Sequence, residues 1–154
     1  MWQMYKLRCK RIRGGIQMKN YIFEVTGEIV GKARPRMNTY TGKAYTPTKT
    51  KNYEYLVKQS FLLKYPNAEV LEGRASVSIL ALFQVPKSTS KKNSEKMLNK
   101  QISPTKKPDI DNIAKIVLDA LNKLAYKDDT QVVDLNIAKA YADRERLIIK
   151  IEEF

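Results

Sequence analysis

The chain has 154 residues, of which 43% are hydrophobic, so it is long enough to build one domain around a buried core. Its formal net charge of +13 favours polyanionic partners, although charge alone does not separate an enzyme from a ribosomal or other basic binding protein. The lack of histidine excludes histidine-ligated metals and histidine bases, and the single cysteine excludes a disulfide framework or a zinc ribbon.

The N-terminal residues differ in composition from the rest of the chain. Residues 1–17 are basic with scattered apolar side chains, and they lack the continuous apolar segment of a signal peptide. We interpret them as an upstream extension before a domain that spans residues 18–154. An alternative is a basic arm that follows a phosphate backbone. No apolar run in the chain approaches the ~18 residues of a transmembrane helix.

Strand, turn and helix signals follow one another in the first half of the domain. Residues 21–30 alternate in polarity and are rich in β-branched side chains, which predicts a strand. Residues 31–43 are rich in turn-forming residues, and residues 45–47 are predicted to be extended. A helix is predicted from residue 48 or 50 to about residue 65, because Pro66 cannot continue it.

The middle of the chain combines the strongest strand signal with a strongly basic segment. Residues 74–85 are predicted to form a strand that Pro86 ends. The lysine-rich segment, residues 87–107, then carries seven lysines against one acidic residue, Glu95. Part of it, residues 90–102, is compatible with a short helix, and the remainder is predicted to be loop.

A long amphipathic helix and two strands complete the predicted domain. The helix spans about residues 111–124, and its buried stripe is expected to contain Ile110, Ile113, Val117, Leu121 and Leu124. Residues 132–141 and 147–152 are predicted to be strands that form a hairpin around residues 142–145. This order of elements predicts an α/β (α+β) fold, a single domain with a mixed β-sheet packed by helices.

Carboxylates stand on both sides of the predicted long helix. Asp109 and Asp111 converge only if Asp109 lies before the helix, near its N-cap, and Pro108 favours that arrangement. If the strand after Asp129 lies beside the helix N-terminus, a third carboxylate reaches the same point. Crowded carboxylates repel one another unless a cation is present, and Mg²⁺ suits oxygen ligands while it keeps several waters. Lys115 would then stabilise the charge of the transition-state phosphate.

Each of these residues also has an ordinary structural explanation. Asp109 is compatible with a simple N-cap and Asp111 with a first-turn acid. Lys115 and Asp119 are spaced for a surface ion pair, and Asp128 with Asp129 is compatible with a solvated turn. The combination of these acids within a basic chain favours a metal-dependent enzyme that acts on nucleic acid.

The same residues resemble the motif of the RusA family of Holliday junction resolvases. The resemblance extends over roughly residues 21–152, with its core in the following residues: Lys107, Pro108, Asp109, Asp111, Asn112, Lys115, Asp119, Ala120, Leu121, Asp128, Asp129 and Gln131. It implies a mixed α/β fold and a homodimeric, Mg²⁺-dependent endonuclease that resolves four-way DNA junctions by paired, symmetric cuts. It further implies that Asp109, Asp111 and Asp129 are the catalytic, metal-binding carboxylates and that Lys115 is the essential lysine.

Basic and aromatic residues outside the acidic motif are the candidate DNA contacts. They are Arg34, Arg36, Tyr40, Lys43, Tyr45, Lys87, Lys91, Lys92, Lys106 and Lys107. The tyrosines are suited to stacking on opened bases and the cations to phosphate contacts with strong salt dependence. The alternatives are half-buried packing for the tyrosines and a solvated loop for the lysines.

We therefore expect a structure-selective DNA endonuclease of recombination and repair, in the cytoplasm of a bacterium or a phage-infected host. Branched DNA and a second copy of the chain are the expected partners, with no membrane and no small-molecule cofactor. Two alternatives remain: a nuclease of the same fold that acts on other branched or single-stranded DNA, and a non-catalytic DNA-binding phage protein. The acidic constellation distinguishes a nuclease from the non-catalytic protein, because a pure DNA binder gains nothing from negative charge beside its phosphate groove.

Overall fold

The computed structural model describes residues 19–154, so the interpretation of residues 1–17 as an extension lies outside the described residues and stays a prediction. Three helices and six strands follow one another in this part of the chain. They are β1 (Asn20–Thr26), β2 (Arg36–Met37), β3 (Ala44–Tyr45), α1 (Thr48–Lys64), β4 (Ala75–Gln84), α2 (Lys91–Leu98), α3 (Ile110–Leu121), β5 (Val132–Ala142) and β6 (Arg146–Glu153), with a short 3-10 turn at Asp129–Gln131 before β5.

Four of the strands form one mixed sheet in the order β1-β6-β4-β5. β4 pairs in parallel with β5 and antiparallel with β6, and β1 pairs antiparallel with β6. β2 and β3 form a separate two-stranded hairpin. The predicted α+β domain with a mixed sheet is therefore confirmed.

The predicted hairpin between the last two strands is wrong, because β4 lies between β5 and β6. Residues 143–145 instead cross the end of β4 to connect its two neighbours. The physical reason is the composition of β4, in which eight of ten residues are buried. A strand that is apolar on both faces is most stable in the centre of a sheet, and it takes both later strands as its neighbours.

One face of the sheet carries the main core, under α1 and α3. Alternate residues of β1, Tyr21, Phe23 and Val25, point into this core. Phe61 of α1 is fully buried and forms edge-to-face contacts with Tyr21 and Phe23 at ring-centroid distances of 5.3 and 5.4 Å. Such pairs stabilise a core beyond the area that they bury.

The boundaries of two predicted elements shift for local reasons. β1 ends at Thr26 rather than residue 30, because Gly27 adopts a φ of +105°, which a strand does not accommodate. α3 ends at Leu121 rather than residue 124, because Asn122 is extended and Lys123 has a φ of +62°. Within α3 the predicted stripe is buried at Ile113, Val117 and Leu121, but Ile110 is 43% exposed and lies outside it.

The other face of the sheet is covered less completely. Leu80, Leu82, Ala140 and Ala142 form a small second cluster there, next to Leu98 at the end of α2. The short helix expected in the lysine-rich segment is thus present as α2. No helix among residues 19–154 is both long and apolar enough to cross a membrane.

Candidate active site at the start of α3

The start of α3 presents two carboxylates to solvent. Asp109 immediately precedes the helix in an extended conformation (φ −71°, ψ 153°), and Asp111 lies in the first helical turn. The Asp109 carbonyl accepts the first helical hydrogen bond, from Ile113 N at 3.1 Å, but its carboxylate caps no backbone N–H. Asp109 therefore lies before the helix, as expected, and N-capping does not account for its carboxylate.

A backbone segment from the N-terminal half packs directly against this helix start. A Cβ added at Gly31 would lie 2.7 Å from Pro108 Cβ and 3.0 Å from Asn112 Cβ, so only glycine fits without displacement. Lys32 N donates to the Asn112 carbonyl at 2.8 Å. These contacts fix residues 31 and 32 against the helix start, and Arg34, two residues further on, lines the same cavity as Asp109 and Asp111.

A lysine from β5 holds the loop before α3 in place. Lys139 Nζ donates to the carbonyl oxygens of Lys106 and Pro108, the latter at 3.1 Å. The ammonium groups of Lys139 and Lys106 also lie 5.2 and 5.0 Å from the centre of the Phe83 ring at the end of β4. Sequence analysis missed Lys139, although a lysine between the inward-packed Ile137 and Tyr141 on β5 was a signal available in the alternation.

Together these elements line a cleft of about 810 Å³ with more cationic than anionic side chains. Its acidic residues are Glu28, Asp109, Asp111 and Glu145, and its basic residues are Lys32, Arg34, Lys49, Lys106, Lys107 and Lys115. This excess of cationic over anionic side chains suits a negatively charged ligand, and carboxylates among them suit a hard cation beside that ligand.

The ion pairs of the cleft differ from those suggested by sequence spacing. Lys115 Nζ lies 3.4 Å from Asp111, and both side chains are about two-thirds exposed, so the pair contributes at most about 1 kcal/mol. Asp119 does not need Lys115, because Lys32 Nζ bridges it at 2.6 Å and Glu54 at 2.5 Å. Burial lowers the pKa of Lys32, but the hydrogen bonds to these two carboxylates outweigh it and leave the pKa raised.

The adjacent acids before β5 have different environments. The Asp128 carboxylate accepts a hydrogen bond from Thr130 N at 2.9 Å, and Gln131 Oε1 accepts one from Asp128 N at 3.1 Å, which is a reciprocal capping box. The hydrogen bond from Thr130 lowers the pKa of Asp128. Asp128 thus has a structural function in this turn, whereas Asp129 takes no part in the capping box.

Asp129 lies at the opposite end of α3 from Asp109 and Asp111. Gln131 Nε2 donates to the carbonyls of Leu71 and Gly73, at 3.2 and 2.7 Å. The turn that contains Asp129 therefore lies beside the segment that leads into β4. Asp109, in contrast, shares the cleft with Phe83 near the last residue of β4. The twelve residues of α3 separate these ends by ~18 Å.

β5 therefore does not begin beside the N-terminus of α3, so the condition under which Asp129 would reach Asp109 and Asp111 is not met within a single chain. β4 and β5 run parallel, so β5 begins where β4 begins, beneath the C-terminal half of the helix. Within residues 19–154, no three acidic or cysteine side chains are grouped closely enough to hold a metal ion. The assignment of a shared cation to Asp109, Asp111 and Asp129 stays a prediction.

The two carboxylates at the start of α3 line the same cleft, and their chemistry fits a magnesium ion. Asp109 and Asp111 supply hard carboxylate oxygens, and both side chains are exposed, so several waters can remain in the coordination shell. The first turn of α3 also presents backbone N–H groups that lack helical partners, which favours a phosphate oxygen nearby.

The predicted DNA-binding residues fall into three places. Arg34, Lys106 and Lys107 line the cleft itself. The β2–β3 hairpin carries a second exposed group: Arg36, Tyr40, Lys43 and Tyr45. The remaining residues, Lys87, Lys91 and Lys92, lie before and within α2, and none of them lines the cleft.

The β2–β3 hairpin exposes an aromatic ring at its tip. Asn38 Oδ1 accepts hydrogen bonds from Tyr40 N and Thr41 N, and Gly42 turns the chain at a φ of +63°. Tyr40 is 98% exposed and Tyr45 is 47% exposed, so half-buried packing does not explain Tyr40. Tyr40 is therefore accessible to a ligand at the hairpin tip.

The sequence is also similar to known proteins. Residues 26–152 match the family model described as "Endodeoxyribonuclease RusA". The chain is also 39% identical over 135 residues to "Uncharacterized protein YqaN" of Bacillus subtilis (strain 168), which covers 85% of this chain and 94% of that relative. The matched region contains α3, both flanking acidic groups and the whole cleft.

Proposed function

The chain belongs to the RusA endodeoxyribonuclease family, and from that premise we propose that it is a magnesium-dependent, structure-selective endonuclease that resolves four-way DNA junctions by paired, symmetric phosphodiester hydrolysis. Family membership implies a nuclease. The metal, the junction preference and the place of the activity in DNA recombination and repair, in the cytoplasm of a bacterium or a phage-infected host, belong to the proposal.

One observation carries the proposal: two exposed carboxylates, Asp109 and Asp111, stand together at a helix N-terminus inside a cationic cleft. A protein that only bound DNA would gain nothing from negative charge at that point, since it repels the backbone phosphates. A phosphodiester hydrolase needs such acids to hold a cation against the scissile phosphate.

Six residues of the cleft then have distinct roles. Mg²⁺, when bound by Asp109 and Asp111, supplies Lewis-acid stabilisation of phosphoryl oxygens and a more acidic water. Lys115, one turn from Asp111, places a positive charge where negative charge grows on the phosphate. Arg34, Lys106 and Lys107 bind the flanking phosphates and orient the strand in the cleft.

Recognition of branched rather than linear DNA would come from shape. The lysines of α2 and the β2–β3 hairpin lie outside the cleft, so they are available to contact neighbouring duplex arms. Tyr40 is suited to stacking on a base that is unpaired at the crossover. Paired, symmetric cuts require two identical sites related by a two-fold axis, and hence a homodimer.

The test compares a synthetic four-way junction with a matched linear duplex, each with and without Mg²⁺. Asp111→Asn removes one charge from the site while it keeps the size of the side chain, so it should bind the junction and lose cleavage. Glu95→Gln makes the same chemical change on α2, away from the cleft, and should cleave normally. Cleavage by Asp111→Asn at the rate of the unmodified protein would falsify the assignment.

A nuclease of the same fold with another substrate is the second candidate, and the exposed Tyr40 also suits flaps and single strands. Comparing junction, flap and single-stranded substrates at equal concentration distinguishes the two. A non-catalytic phage protein would bind all of them and cleave none at any magnesium concentration.

A further inference from the structure

A basic segment without any acidic residue leads from Glu28 to α1. This basic segment, residues 29–47, contains four lysine or arginine side chains and no aspartate or glutamate. Within it, residues 34–45, which include the β2–β3 hairpin, are all exposed. A two-stranded hairpin without a buried face is only marginally stable by itself. Its position relative to the cleft therefore depends on how the two ends of the basic segment are held.

One lysine ties the beginning of the basic segment to two helices. Lys32 Nζ lies 2.5 Å from Glu54 Oε1 on α1 and 2.6 Å from Asp119 Oδ2 on α3. The exposed fractions of the three side chains are 26%, 22% and 42%, so solvent screens these contacts only in part. Charge-assisted hydrogen bonds of this length are stronger than those between neutral groups. Although Lys32 lines the cleft, its ammonium thus already has two carboxylate partners.

The same contacts hold both ends of the basic segment together. Glu54 lies in the second turn of α1, immediately beyond the segment, and Thr50 in the first turn is only 1% exposed. This end of the segment is therefore fixed on the core. The contact between Lys32 and Glu54 closes the base of the segment, and the contact between Lys32 and Asp119 attaches that base to α3.

The contact with Lys32 also accounts for an acid that the proposed cation site does not use. Asp119 belongs to the motif that resembles the RusA family, yet it does not line the cleft, and it lies ~12 Å beyond Asp111 along α3. Its neighbours in the motif, Ala120 and Leu121, are fully buried, so core packing accounts for them. Asp119 is instead exposed and bound to the basic segment.

We propose that Lys32 is a positioning residue whose ammonium, held by Glu54 and Asp119, fixes the basic segment beside the cleft. Arg34 and the β2–β3 hairpin then meet DNA at a defined place. The inference rests on the proposed function for the identity of the ligand, and it goes beyond that function because neither acid lines the cleft. The simpler alternative is an ion pair that contributes only to stability, in which case the DNA affinity of the folded protein would not depend on it.

An exchange of charges tests the positioning role. Lys32→Glu leaves three carboxylates together, and Asp119→Lys leaves two ammonium groups with one carboxylate, so each single variant should release the basic segment. The double variant, Lys32→Glu with Asp119→Lys, again has one cation between two carboxylates and keeps the net charge of the unmodified protein. It should therefore restore the attachment, which is the non-additive result expected of residues in contact.

The measurement is the affinity for a synthetic four-way junction without any metal ion, so that no cleavage is needed. Each single variant should bind roughly tenfold more weakly at ~0.1 M salt, because the phosphate contact of Arg34 is lost with the position of the segment. The slope of log affinity against log salt should also fall by about 1. The double variant should recover both values.

Net charge alone predicts the opposite result for Asp119→Lys, since a more basic protein attracts DNA more strongly. If Asp119→Lys binds the junction as tightly as the unmodified protein, or more tightly, the positioning role is refuted. It is also refuted if the double variant binds as weakly as Lys32→Glu, because Lys32 would then contact the phosphates itself.

A milder pair of variants keeps the test decisive if a charge reversal prevents folding. Asp119→Asn removes the charge but keeps the size of the side chain. Glu72→Gln makes the same change in net charge at an exposed ion pair with Lys127 that does not line the cleft. Asp119→Asn should bind the junction about two- to fivefold more weakly than Glu72→Gln, the range that ion pairs of this exposure contribute. Equal or tighter binding by Asp119→Asn would contradict the proposal.

Hydrogen exchange without DNA distinguishes local release from a general loss of stability. Lys32 N donates to the Asn112 carbonyl of α3 at 2.8 Å, so exchange of this amide reports the attachment of the basic segment. In Asp119→Asn this amide should exchange faster while the amides of β6, inside the sheet, keep their protection. Unchanged exchange at Lys32, or equally faster exchange in β6, would refute the positioning role.

Failure of the positioning role and failure of the nuclease function give different results in these experiments. If the unmodified protein binds the junction but cleaves nothing with Mg²⁺, the nuclease function is rejected and the affinities of the variants still decide the role of Lys32. If the unmodified protein cleaves the junction while both single variants bind it normally, the nuclease function stands and the positioning role is rejected.

Discussion

The close contact at Gly31 gives the sharpest prediction about the cleft. In Gly31→Ala the new Cβ would meet Pro108 Cβ at 2.7 Å and Asn112 Cβ at 3.0 Å. Ordinary contacts between such carbons are ~3.5–4.0 Å, so the two segments must separate by roughly 1 Å. The pyrrolidine ring of Pro108 is rigid and lies at the start of α3, so the displacement falls mainly on residues 31–34, which include Lys32 and Arg34.

Overpacking of this kind typically costs ~1–3 kcal/mol of unfolding free energy. For a domain of this size, each kcal/mol lowers the melting temperature by ~2–4 °C, so a decrease of about 2–12 °C is expected. The displacement should also weaken the Lys32 N to Asn112 hydrogen bond and move Arg34, so junction cleavage should fall more than the loss of folded protein explains.

The assay combines thermal unfolding by circular dichroism with cleavage of the junction well below the melting temperature. Ser60→Ala is the control, because Ser60 lies on α1 outside the cleft and its hydroxyl donates to the Leu56 carbonyl of the same helix. It should leave cleavage unchanged. If Gly31→Ala melts and cleaves like the unmodified protein, the close approach of the two segments is not what positions the cleft.

Three further predictions concern single side chains. Lys139→Met removes the donor that holds the Lys106 and Pro108 carbonyls, so denaturant unfolding should show a loss of ~1–3 kcal/mol in unfolding free energy. Cleavage should fall while junction affinity changes little. Unchanged stability and cleavage would contradict this anchoring role. Asp128→Ala removes the capping box. Because the folded pKa of Asp128 is lowered, the stability that its carboxylate contributes is present at pH 7 and is lost as pH falls below the unfolded value near ~3.9. The melting temperatures of variant and parent should therefore converge in acid, and a difference that stays constant with pH would refute the electrostatic origin. Arg34→Ala should weaken binding to junctions of every sequence and reduce the slope of log affinity against log salt by about 1, whereas Arg74→Ala, near Phe154, should not.

The local elements were predictable because their signals are local. Alternation in residues 20–26, the continuous apolar run of β4 and the 3.6-residue period of α3 each depend on neighbours within a few positions. Helix ends were less accurate, since the positive φ at Lys123 leaves no clear sign in the sequence. The basic character of the cleft and its two helix-start carboxylates also followed from residues that are close in sequence.

The order of the strands did not follow from local signals. A short link between two strands normally indicates a hairpin, but here the preference of β4 for a fully buried position separates β5 from β6. The same long-range choice placed Asp129 at the far end of α3, and it left Lys139 beneath the loop that carries Asp109.

Composition, charge and periodicity by themselves determined that this is a basic α+β domain with acids flanking an amphipathic helix, because those properties belong to short stretches of chain. Only the tertiary structure decided which acids line the cleft, which glycine allows two segments to touch and which strands lie at the edges of the sheet. These outcomes depend on contacts between residues far apart in sequence, where competition for burial in the centre of the sheet outweighs local preference.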